Sequence, residues 1–210
     1  MAMDLADLLD PARTALVTQE CQNGVIGADA VLRDLADEAQ RVAVPNVVRL
    51  VHAARRAGAA VVHCLAVRRA DDKGSNRNAR LFLGTRKLGI HIEPGSSAAQ
   101  LLPEIGDDPD DLVLSRYHGL GPMGGTDLDA VLRNLGVTTV VGVGVSVNIA
   151  ITNFAMDAVN AGYQFVLPRD AVAGFPVSYA EAVIDNTLAF IATVTTTDAV
   201  LDAWAPSAKP

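Results

Sequence analysis

Apolar residues in this chain follow two periods, and the switches between them divide it into segments. Short β-branched or alanine-rich runs at 14–19, 59–67, 112–115, 140–147, 164–167 and 191–197 read as strands. Longer segments with apolar residues three and four apart read as helices. The longest runs from Leu32 to Ala57, with Gly58 to end it and Pro45 placed to kink or divide it. A second opens near Thr126 and stops at Gly136. A third starts at Asn148, shows Ile149, Thr152, Ala155, Met156 and Val159 on one face, and closes at a Gly162 cap. The capping-box pattern Ser178-Tyr-Ala-Glu181 starts a fourth. Short helices are expected at Asp4–Leu9 and from Asp198, before a frayed tail at 204–210. Gln22–Gly27, 68–80 and the glycine-rich His118–Gly125 carry neither period and read as loops.

Strands alternating with helices predict an α/β fold. It is a three-layer α/β/α sandwich on a mostly parallel, doubly wound sheet of about six strands, in a single domain over 1–210. The strand at 140–147 runs almost directly into the next helix. Unpaired N–H groups at that helix start then stand at a strand's carboxyl end, a ready anion site.

Half of the 210 residues are apolar, enough for a full core, and few aromatics beside abundant Ala and Val suit close helix-on-sheet packing. No apolar run reaches membrane-spanning length, and the acidic start MAMDLADLLD lacks the basic region of a signal peptide. Cys21 and Cys64 are too few for a disulfide framework, so a reduced, cytoplasmic protein is expected. The net charge of −7 argues against a nucleic-acid surface, and no membrane association is expected. That charge is uneven. Residues 68–87 carry seven cations, among them Arg68, Arg77 and Lys87, against Asp71 and Asp72, a local +5 that leaves −12 elsewhere. The stretch is either a solvated loop or a basic lid that attracts an acidic substrate or partner subunit.

In such a sheet ligands bind at the carboxyl ends of the strands. Glu20 follows the first strand, Arg116 the third, and the turn Asn148-Ile149-Ala150 the fourth. Three stretches carry a further signal: ALVTQECQNGVIG (15–27), LVLSRYHGLGPMGGTDLDAVLRNLGVTTVVGVGV (112–145) and SVNIAITNFAMDAVNAGYQFVLPRDAVA (146–173). Together they resemble the isochorismatase-like hydrolases, the cysteine hydrolase superfamily, over nearly the whole chain. The resemblance implies a small-molecule hydrolase whose site lies at those three strand ends. Most members would have aspartate, lysine and a nucleophilic cysteine where this chain has Glu20, Arg116 and Ala150. It also implies an oxyanion hole from the Ile149 and Ala150 amides, a non-proline cis bond at Val145–Ser146, and a homodimer or tetramer.

Ala150 has no group that attacks a carbonyl. The resemblance therefore points to the branch that cleaves a vinyl ether with a carboxylic acid. Glu20 is the candidate acid, which requires a proton affinity raised by burial. Arg116 is always charged and cannot be a base. It either orients a substrate carboxylate bidentately, or pairs with Glu20 and so works against its role as an acid, or forms with it a buried structural ion pair. Ser146, Asn148, Ile149, His118, Gln22 and Arg77 are the candidate substrate-binding residues, for a small, acidic molecule. His63 lies within a strand and reads as core or rim, whereas His52 and His91 read as surface.

No cofactor or metal is expected. HCLAVRRADDKGSNRN lacks the Asp-x-His motif by which nicotinamidases of the family bind a metal, and Gly142–Val147 lacks the third glycine of a dinucleotide fingerprint. Two alternatives stay open: a non-catalytic binding or assembly module on this fold, and an amide hydrolase whose nucleophile has moved to Cys21. Strand alternation turns Cys21 away from Glu20.

Overall fold

In the computed structural model, which describes residues 4–205, the apolar runs become the strands β1 (Thr14–Gln19), β2 (Ala60–Ala66), β3 (Leu112–Arg116), β4 (Thr139–Val145), β5 (Gln164–Pro168), β6 (Val172–Ala173) and β7 (Thr193–Thr195). They form one sheet of order β3-β2-β1-β4-β5-β7, with the two-residue β6 added beside β4, and every strand pair is parallel. The α/β architecture is the expected one, with seven strands. β6 is too short to show a period. The chain winds outward from β1 to β3 on one side and from β4 to β7 on the other. The order therefore reverses between β1 and β4, the switch point where such sheets open a crevice.

Strand alternation divides the core. Leu16, Val141, Val143 and Val145 face a layer formed by α1 (Leu5–Leu8), α4 (Val44–Ala57) and α9 (Thr197–Ala203). Val17, Val62 and Val140 face α6 (Leu128–Asn134), α7 (Thr152–Asn160) and α8 (Val177–Asn186). Gly142 admits the second layer. A Cβ there would lie 2.2 Å from the Phe165 ring, which meets Phe154 edge-to-face at 5.0 Å.

The long helix expected at 32–57 is α3 (Arg33–Glu38), a π turn over Ala39–Ala43, and α4. The π turn lies just before Pro45, whose missing N–H and bulky ring disturb the ladder of the preceding turn. Gly58, at φ +78°, closes α4, and Ala59 N–H donates to Ala54 O.

Several expectations shift. Gln22–Gly27 contains a one-turn helix, α2 (Asn23–Ile26), and Arg80–Lys87 forms α5 where the basic stretch was read as loop to 80. The capping box at Ser178 does not form, because α8 begins at Val177 directly behind Pro176 and no side chain caps it. The apolar stripe of α7 lies one position over: Ile151, Phe154, Ala155 and Ala158 are buried, while Ile149, Met156 and Val159 are exposed. This helix is apolar around much of its girth, so period alone did not select the face. Trp204, expected in a frayed tail, is buried with its indole N–H on Leu9 O, and the rest of the tail at 206–210 lies outside the described residues, as does 1–3 at the acidic start. No helix among the described residues is long and apolar enough to cross a membrane.

Candidate active site

Three chain segments converge at the switch point. β1 and β4 approach so closely there that a Cβ on Gly144 (φ +107°) would stand 2.3 Å from Gln19 O. Past Gln19 the backbone turns through Glu20 at φ +54°, a left-handed conformation that costs a non-glycine residue about 1 kcal/mol. Glu20 N–H donates to Cys64 O, which ties the turn to β2. On the far side of β2, β3 ends at Arg116, a buried guanidinium whose Nη2 donates to Glu20 Oε1. From β4 the chain passes through the cis bond Val145–Ser146, the position the resemblance implied, into a π turn over Val147–Ile151 that starts the α7 helix. Ile151 N–H reaches back to Ser146 O, as does Ile149 N–H at 3.3 Å. A π turn of this kind is frequent at functional sites.

These segments line a cavity of about 210 Å³. Its wall is mainly apolar, from Val25, Leu35, Val67, Phe82, Ile92 and Leu120, with Ile149 and the Ala150 methyl at the π turn. Polar groups converge on it from three sides: Glu20 and Arg116 at the strand ends, Ser146 before the π turn, and Arg68, Asn76, Thr85 and His118 from the loops. A small apolar cleft with a few aimed polar groups is the usual form of a ligand site.

The basic stretch is part of the enclosure. Arg68 Nη2 donates to Thr85 Oγ1 on α5, and Asp72 takes both Arg68 and Arg86. Gly119 N–H donates to Asn76 Oδ1, which joins this stretch to the glycine-rich loop.

Of the candidate residues, Glu20, Arg116, Ala150, Ile149, Ser146 and His118 share the cavity. Three do not. Gln22 is fully buried, its amide N–H groups on Ala66 O and Ala99 O and its Oε1 accepting from Ala66 N–H, so it ties loops and has nothing left to offer a ligand. Asn148 holds Phe175 O from the other side of the turn. Arg77 is exposed and lies outside the lining. Phe82 and Thr85 belong to the cavity and escaped the sequence reading, and Arg68, read only as part of a basic lid, lines it too. Phe82 and Thr85 are one helical turn apart, a spacing hidden by the charge around them and by Gly84.

Both cysteines are buried, and burial pushes each thiol up to about 12. Cys21 joins the α4-side core and does not line the cavity, which leaves the relocated thiol without support. His63 is also core: Nδ1 meets Thr18 Oγ1 at 2.8 Å and Nε2 meets Asp111 at 2.9 Å. Among the described residues no group of three or more His, Cys, Asp or Glu is placed to hold a metal ion.

A parallel, doubly wound sheet with an open cavity at its switch point defines an α/β protein with room for a small molecule. The chain belongs to the isochorismatase family: the family's isochorismatase domain matches residues 14–199. It is 35% identical over 86 residues to the uncharacterized isochorismatase family protein YwoC of Bacillus subtilis, a match that spans 41% of this chain and 45% of that relative. A cysteine hydrolase from Pseudomonas syringae pv. phaseolicola superimposes with a TM-score of 0.78 at 22% identity, over 93% of this chain and 94% of the other. An isochorismatase-like hydrolase from Alkaliphilus metalliredigens gives 0.75 at 21%, over 94% and 99%. The N-carbamoylsarcosine amidase of Thermoplasma acidophilum gives 0.71 at 25%, over 89% and 97%.

Proposed function

We propose that this protein is a hydrolase of a small acidic molecule that works without a cysteine nucleophile, cleaving a vinyl ether of the isochorismate type through a carboxylic acid. The observation that carries the reading is the placement of Glu20 on a mainly apolar cavity that Ala150 also lines. Glu20 is the general acid. Protonation of the enol-ether carbon by its carboxyl group generates an oxocarbenium centre, and addition of water there leads to release of the alcohol and a ketone. Ala150 presents the start of the helix to the substrate's negative charge, while the expected Ile149 N–H is turned back to Ser146 O at 3.3 Å. Arg116 and the basic stretch favour an anion. The Glu20–Arg116 ion pair and the open cavity coexist, so the pair does not by itself close the site.

Incubation of the purified protein with isochorismate and chromatography of the products tests this. Turnover is expected, with Glu20→Gln lowering kcat by about 10²-fold or more, the scale of a lost general acid. An unchanged rate in that variant would remove Glu20 from the chemistry. The Glu20–Arg116 pair also favours a second reading, a non-catalytic binding module. That reading expects ligands to raise the melting temperature while no enol ether, ester or amide is turned over.

A further inference from the structure

Three buried polar atoms around Glu20 have no hydrogen-bond partner among the described residues: Arg116 Nε, Arg116 Nη1 and Gln19 Oε1. Arg116 is 6% exposed, and an unpaired buried donor costs about 1–3 kcal/mol. A guanidinium offers a carboxylate two bidentate edges, Nε with Nη2 and Nη1 with Nη2. Both include Nη2, which has one N–H on each edge; Nη2 donates to a single oxygen of Glu20 and, at 3.5 Å, to Leu120 O. Each edge therefore keeps an unpartnered nitrogen, Nε or Nη1, and a second carboxylate takes an edge fully by sharing or displacing one of these two acceptors.

We propose that Arg116 is a carboxylate subsite and that an anion seated on it is accompanied by uptake of one proton onto Glu20. This rests on the hydrolase reading for its consequence, since it supplies the acid form of Glu20 when substrate is present. The charge balance argues for it. Glu20 and Arg116 together are neutral; adding a carboxylate leaves one excess negative charge in a mainly apolar enclosure, where unpaired charge is costly. The other charged or titratable groups facing the cluster do not offset it. Arg68 is paired with Asp72, and the surplus positive charge of that cluster sits on Arg86, 56% exposed and screened by water; Cys64 carries a thiol pushed up to about 12, and Tyr117 and His118 follow Arg116 along the lining.

A proton from solvent restores neutrality, and Gln19 is placed to receive it. Its Nε2 now donates to Glu20 Oε1 at 3.0 Å, while its Oε1 has no donor. A half-turn of the amide presents Oε1 to a protonated Glu20, so the same pair of side chains serves both charge states. No bond is made or broken apart from that O–H.

Isothermal titration of benzoate into the wild-type protein at pH 7, in two buffers of different ionisation enthalpy, reads both parts. Benzamide is the neutral control. Benzoate is expected to bind about tenfold or more tightly than benzamide, with uptake of about one proton. Glu20→Gln should retain benzoate binding and lose the uptake, and Arg116→Gln should lose the preference for benzoate. Equal binding of the two probes, or no benzoate binding at about 10 mM, overturns the subsite. Benzoate binding without uptake overturns the coupling, and so does uptake that survives in Glu20→Gln and disappears in His118→Asn. The wild-type titrations decide even if a variant fails to fold. None of them needs turnover, so coupled binding without enol-ether hydrolysis would sink the hydrolase reading alone, and hydrolysis without coupling would sink this one alone.

Discussion

Cys21 and Glu20 are neighbours in sequence and meet opposite surroundings. Glu20 lies on the cavity, while Cys21 is 1% exposed in the core beneath it, where burial first and the Glu20 charge second push the thiol up to about 12. At pH 8 a thiol near 12 is ionised to about one part in 10⁴, and only the thiolate reacts with alkylating agents. Iodoacetamide at pH 8 should therefore leave both cysteines of the native protein unlabelled over an hour, as read by mass spectrometry, and label both in urea. Rapid native labelling of Cys21 would reopen the relocated nucleophile. That Glu20, Arg116 and Ala150 share one cavity was legible because strand ends are where such sheets place their crevice, and the three lie at or just past the ends of recognisable strands. Gln22 was misassigned because neighbourhood in sequence says nothing about which groups already have partners. Its whole amide is consumed by Ala66 and Ala99 from distant parts of the chain.

At the level of elements, the sheet is tied to its helices by a buried polar chain that uses β1, β2 and α4 together. Thr18 stands beside His63 in the β1–β2 register, His63 bonds Asp111, and Arg55 of α4 holds Asp111 at 2.6 Å while donating to Ile105 and Gly106 carbonyls. Neutral imidazole suits both of its partners, with Nε2–H donating to Asp111 and Nδ1 accepting from Thr18. Burial lowers the His63 pKa below its ordinary 6.5, and the Asp111 hydrogen bond only partly opposes it. Below 6.5 the unfolded chain therefore binds more protons than the folded one. The stability this histidine contributes is complete above 6.5 and is lost as pH falls through the lowered folded value. Urea melts between pH 7.5 and 5.5 should show a steeper loss on acidification in wild type than in His63→Gln. Asp111→Ala, which leaves the half-buried Arg55 with Asp108 at 3.7 Å and His63 without its acceptor, should cost about 2 kcal/mol in the same assay. Gly142→Ala should cost about 1–3 kcal/mol, because the new methyl enters the space of the Phe165 ring. The strands were readable as β-branched runs. α5 was not, since Arg80, Gly84, Arg86 and Lys87 leave too few apolar positions for a period, although Phe82 and Thr85 line the cavity.

For the whole molecule, charge is the feature that composition alone misjudges. A net −7 suggests a protein that repels anions, yet the segment nearest the cavity carries +5 and the rest −12. Folding uses part of that positive charge internally. Asp71 pairs with Arg69 and Lys73, and Asp72 with Arg68 and Arg86, while Arg77, Arg80 and Lys87 are exposed along the stretch that roofs the site. Exposed charge of this kind acts through its field over a Debye length of about 10 Å at 0.1 M salt, so it governs encounter more than residence. If the site takes an anion, kcat/KM for isochorismate should fall several-fold between about 20 and 300 mM salt, with kcat nearly constant. The triple variant Arg77→Gln, Arg80→Gln, Lys87→Gln should show a lower kcat/KM at low salt, a flatter salt dependence, and convergence with wild type at high salt. A salt slope unaltered by the triple substitution would mean that the roof contributes enclosure only, and that the attraction of anions rests on Arg116 and Arg68 inside.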